Sequence, residues 1–239
     1  MDYLSLIASR SAVLRDAVAS ASSLDARVPG CPDWTLHDLT THLGGVQRFW
    51  AQAVRLRGER PTWHEPSPGD DLPGWFTAST DELLAALSEA APDQPCFTWW
   101  SASGAPETAG AVARHQVQEA AVHAWDAEET IGKPTPLPLE VAADAIAEFA
   151  EVSLGSSGAW PHPPAILTLS AAEGQAWSIG LSPSGATLLT TPPTESATTV
   201  TGAASDLLLG LYGRSPRADL TVTGDPAVLD NLRSWVNTD

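Results

Sequence analysis

The hydrophobic period of this chain changes once, near Gly158, and that change limits what it can fold into. Before it, apolar residues recur at helical spacing in runs closed by proline and glycine. After it, they fall into short β-branched or alternating stretches such as "AILTLS", "QAWSIGL" and "GATLLT". Helices are expected over residues 2–22, 35–57, 77–91, 106–131 and 138–154. Thr35 with Asp38 three positions on has the form of a capping box, and Gly132 followed by Pro134 closes the fourth run. "ASDLLLGLYG" reads as a helix, "ADLTVTG" as a strand and "PAVLDNLRSWV" as a final helix, with "TTPPTESATT" a polar loop. The expected fold is α+β in two domains. Residues 1–155 form an antiparallel four-helix bundle, and residues 156–239 a small α+β unit.

Charge narrows the partners. The formal net charge is −17 and Lys133 is the only lysine. A surface that grips phosphates needs clustered cations, so nucleic acid and anionic membranes are excluded as expected partners. No stretch approaches the roughly 20 apolar residues that span a bilayer. The first 20 residues have neither the cationic start nor the unbroken apolar run of a targeting segment. Cys31 and Cys96 are too few for a disulfide framework. A cytoplasmic protein is expected, and, with no signature of oligomerisation, a monomer.

Chemistry concentrates on two helices. In the fourth, Ala109, Ala113, Val117, Ala120, Ala124, Ala127 and Ile131 gather on one stripe. Glu119, His123 and Asp126 fall within about 60° of one another on its flank. A carboxylate and an imidazole one turn apart can form a surface ion pair or hold a metal. In the second helix, His42 shares the apolar face of Leu39, Leu43, Val46, Phe49, Trp50 and Ala53, while His37 points the other way with Thr41, Gly44 and Arg48. If His42 meets the Glu119–His123 pair across the bundle, two imidazoles and one carboxylate leave one position open, as in catalytic zinc sites. His64 and His162 lie in proline-rich loops, and His115 projects about 80° from His123. Cys31 has no recognisable basic partner. Of the ten tryptophans most are core anchors, but "RPTWHEP" and "FTWWS" lie in loops and can line a pocket.

Together these segments resemble a known family. "VPGCPDWTLHDLTTHL", "RHQVQEAAVHAWDAE", "ASDLLLGLYGR" and "LTVTGD" are similar to its signatures, in order and over essentially the whole chain. This is the mycothiol-dependent maleylpyruvate isomerase family, whose N-terminal half is a DinB-like bundle. The resemblance implies a divalent metal, usually zinc, on His42, Glu119 and His123, with Asp126 orienting a ligand. It implies that Arg214 closes over the site from the second domain, and that Arg114 fills another basic position, assigned to cofactor binding. Gln118 and Ala124 replace a histidine and an arginine of the pattern, which bears on thiol and substrate recognition.

The implied activity is addition of a metal-activated mycothiol thiolate to a small electrophilic substrate, ending in cis–trans isomerisation or in S-transfer. Two alternatives belong to other classes. One is a zinc-dependent hydrolase with activated water. The other is a non-catalytic member that binds a small apolar ligand.

Overall fold

The structure, a computed structural model, describes residues 1–191, 198–214 and 220–236. The fold is α+β, in two compact units: Met1–Trp99 with Pro106–Leu137, and Trp100–Ala105 with Pro138–Asp239.

The first unit is built on α1 (Tyr3–Ser20), α2 (Leu36–Leu56), α3 (Leu72–Glu89) and α4 (Ala109–Thr130). α1 packs on α4 and α3, and α2 on α3 and α4. Leu14, Leu36, Leu39, Leu43 and Phe76 form the core with Ala124 and Ala127 of α4. The alanine stripe lets neighbouring helices approach α4 closely. α2 starts where expected: Asp38 N donates to Thr35 Oγ1 at 3.1 Å and Thr35 N donates to Asp38 Oδ2 at 2.9 Å. α3 starts five residues earlier than expected. Asp71 Oδ1 accepts from Gly74 N at 3.0 Å and Pro73 sits in the first turn, where its missing N–H costs nothing. The break before α2 contains a small antiparallel ladder, β1 (Arg27–Val28) and β2 (Cys31–Thr35). Among the described residues no helix is long and apolar enough to cross a membrane.

The second unit opens with α5 (Leu139–Phe149), extended by a π-helical turn, Ala150–Leu154. β3 (Ala165–Ala171), β4 (Ala176–Ser182), β5 (Gly185–Leu189), β6 (Thr198–Gly202), α6 (Ala204–Leu211), β7 (Thr221–Thr223) and α7 (Ala227–Trp235) follow. Among the described residues the five strands order as β5-β4-β3-β6-β7; all neighbours are antiparallel except β3 and β6.

Two differences from the sequence reading have physical causes. α5 packs on α6, and Phe149 meets the Tyr212 ring at 5.0 Å, so the division falls at Leu137/Pro138 and not after residue 155. A helical period shows that a helix has a buried face but not which core receives it. The end of the polar segment, Thr198 and Thr199, is the start of β6, whose neighbours are β3 and β7. Residues 192–197 of that loop, and Ala218 and Asp219 of the last expected strand, lie outside the described residues.

Candidate metal centre

α2 and α4 bring three side chains together. Among the described residues, His42, Glu119 and His123 form a group whose ligand atoms all lie within 4.8 Å of one another. Glu119 Oε1 is 3.3 Å from His42 Nε2 and 3.5 Å from His123 Nε2. The imidazoles meet edge to face, with centroids 5.2 Å apart.

Asp126, fully buried one turn further along α4, places its Oδ2 3.0 Å from His123 Nδ1. With Nδ1–H donating to that carboxylate, Nε2 is the ring nitrogen that faces Glu119 and His42, and its lone pair becomes available when it gives up its proton. Trp34 of β2 covers the pair, 4.6 Å from the His42 ring and 6.1 Å from that of His123. The Cys31 thiol lies 4.0 Å from Asp126 Oδ2.

The electrostatics call for positive charge. Burial opposes ionisation of Glu119, but hydrogen bonds and charge from His123 and His42 outweigh it and hold the carboxyl well below its usual range. Burial likewise opposes a charged His123, yet its hydrogen bonds to Asp126 and Glu119 push it up to about 9. A proton on His123 answers two neighbouring carboxylates, and a divalent cation would answer them more fully.

The residues fit such an ion. Two nitrogens and one carboxylate oxygen are a zinc-type donor set that leaves a fourth position open. Donors about 2.05 Å from one tetrahedral ion stand about 3.3 Å apart, close to the 3.3 and 3.5 Å separations from Glu119 Oε1.

The remaining expected residues are each described within their own unit. Arg114, half-buried on α4, is nine positions before His123, about 180° away around the axis, so the helix does not bring it to the cluster. Arg214 belongs to the second unit, where it is buried, donates from Nη1 to Tyr212 O at 3.0 Å and lies 5.7 Å over the Tyr212 ring. His115 is a core histidine between Trp50 and Trp99, with Gln118 Nε2 3.3 Å from its Nδ1. His37, half-exposed, stands 3.5 Å from Thr41 Oγ1. Reading the sequence missed Trp34 and the proximity of Cys31 to Asp126. The one available signal was "CPDW" immediately before the cap of α2.

Comparison with known proteins agrees with this architecture. The mycothiol maleylpyruvate isomerase N-terminal domain model matches residues 4–128, and the MDMPI C-terminal domain model matches residues 140–231, beginning within α5. No curated protein matches the chain. A solved structure of the mycothiol-dependent maleylpyruvate isomerase superposes with a TM-score of 0.64 at 14% identity, covering 93% of this chain and 92% of that one. A histidine-to-alanine mutant of that enzyme gives a TM-score of 0.66 at 13% identity, with the same coverage. At such identities the likeness speaks for the fold, while the two domain models in order speak for descent: the chain belongs to the mycothiol maleylpyruvate isomerase family.

Proposed function

We propose that this protein is a metal-dependent, mycothiol-using enzyme acting on a small electrophilic substrate, as an isomerase of the maleylpyruvate type or as a thiol S-transferase. The observation that carries the reading is the convergence of His42, Glu119 and His123 from two helices, with Asp126 holding His123 Nδ1. In this reading His42 Nε2, His123 Nε2 and Glu119 Oε1 hold a divalent ion, zinc by the donor set. When bound, the ion supplies Lewis acidity, favouring thiolate over thiol at neutral pH.

The chain's own residues do the rest. Asp126 keeps the proton on His123 Nδ1 and so keeps Nε2 free as a donor. Trp34 excludes water from the side of the imidazoles it covers. Arg214 provides a guanidinium fork for a substrate carboxylate or a developing enolate. The thiol sulfur bonds to one carbon of a cis double bond, and the electron pair moves onto the activating carbonyl. The new single bond rotates, and expulsion of the sulfur restores the double bond in the trans form. In a transferase a proton is added to carbon instead and the thioether is kept.

The test is elemental analysis of the purified protein beside His123→Ala, followed by turnover with and without a thiol. About one zinc per parent chain and none in the variant is expected, with turnover that requires thiol. Full metal content in His123→Ala would remove that residue from the ligand set. Turnover in the absence of any thiol would replace the proposal with hydrolysis.

A further inference from the structure

A second set of residues on α2 builds a cavity of about 310 Å³ that includes none of the three clustered side chains. Its walls are aromatic: Phe49 of α2, Trp75 of α3, and Trp63 from the loop between those helices. Gly45 makes the enclosure possible. A Cβ there would collide with Pro66 Cγ and stand 3.4 Å from Trp63 Cη2, so only glycine lets the loop lie against the helix. The volume is at the small end of ligand sites, and the lining sets the three aromatic rings beside polar side chains: Arg48, Gln52, Thr62, His64, Glu65 and Ser67.

The arginine in this lining is Arg48, and it is fixed in place. Its Nε donates to Ser79 Oγ at 2.7 Å, and its guanidinium lies 4.9 Å over the Trp75 ring. Among the described residues it makes no ion pair, and neither Nη1 nor Nη2 makes a hydrogen bond. A half-buried guanidinium with Nε occupied and its terminal nitrogens free is preorganised for a planar anion, which it can grip with two N–H groups. The lining also holds Glu65, which is exposed to solvent; its Oε2 accepts the Trp63 indole N–H at 3.0 Å, and water screens its charge.

We infer that this cavity binds a small carboxylate with a flat, unsaturated or aromatic body. The Arg48 fork takes the carboxylate, and Phe49, Trp63 and Trp75 pack on the body. The inference does not depend on the metal reading, because it uses none of the same residues.

The experiment titrates sodium benzoate, and benzamide as its neutral counterpart, into the intact protein by isothermal calorimetry at low salt. Benzoate should bind at least about tenfold more tightly than benzamide, the worth of one charge-assisted contact. Arg48→Gln should erase that preference, Trp63→Ala should weaken both ligands, and His123→Ala should change neither. Equal affinities for the two ligands would overturn the inference, as would benzoate binding lost in His123→Ala but kept in Arg48→Gln. If Arg48→Gln does not fold, Trp63→Ala decides: its side chain is 48% exposed, so the fold does not hang on it, and unchanged benzoate affinity there would refute the site.

Discussion

A carboxylate with no exposed surface keeps its place only when something answers its charge, and for Asp126 that answer is His123 Nδ1 at 3.0 Å. Asp126→Asn preserves the size of the side chain but removes the charge that fixes the tautomer. Zinc affinity should fall about 10–100-fold while the far-ultraviolet spectrum stays unchanged, as read by competition with a chromogenic chelator. Unaltered affinity would leave Asp126 a packing residue. The four polar residues of this cluster were legible in the sequence because a helix repeats every 3.6 residues and two projections suffice to aim them at each other. Trp34 and Cys31 were not, because β2 delivers them and no periodicity places a short strand over a bundle. Arg48 was read as lying on the side away from the core. That side instead faces Trp75 of α3, which a projection of α2 alone does not contain.

The starts of α2 and α3 each carry a local signal, and the two differ in how they can be read. The Thr35–Asp38 box involves two residues three apart, so it predicts the start of α2 and with it the position of His42. At α3 the same chemistry is hidden, because "DLPG" serves equally as a turn and as a capped, proline-led first turn. β6 was missed for a different reason: its threonines carry β-propensity, but a polar flank masked them until β3 and β7 paired with them. The contact of α2 with α3 depends on Gly44. A Cβ at Gly44 would stand 2.8 Å from Trp75 Cη2 and nearer still to Cζ3. In an open helix Gly→Ala gains up to about 1 kcal/mol, but here the rigid indole must move, and overpacking costs about 1–3 kcal/mol. Gly44→Ala is therefore expected to lower stability in urea, with the midpoint falling and the slope unchanged. A higher midpoint would show that the two helices can part without cost.

The whole molecule couples the site to folding through the proton on His123 and, on the proposed function, through the metal that would compete with it. Its folded pKa, about 9, lies above the unfolded value of about 6.5. The stability contributed by that proton is therefore complete below pH about 6.5 and is lost as pH rises through about 9. Zinc takes the deprotonated ring, so its stabilisation is weakest in acid and grows over the same interval. Chelator-treated protein should lose thermal stability between pH 6.5 and 9, and zinc-loaded protein should diverge upward from it. At a free zinc concentration about 100 times Kd the gain is about 2.7 kcal/mol, which for a chain of this length raises Tm by about 5–10 °C. A net charge of −17 means that any divalent cation relieves some self-repulsion. Magnesium at equal concentration measures that general effect, and only the excess over it belongs to the site. His123→Ala should abolish the excess and flatten the pH dependence of the chelator-treated protein. An excess that survives in His123→Ala would place the zinc elsewhere on this acidic surface.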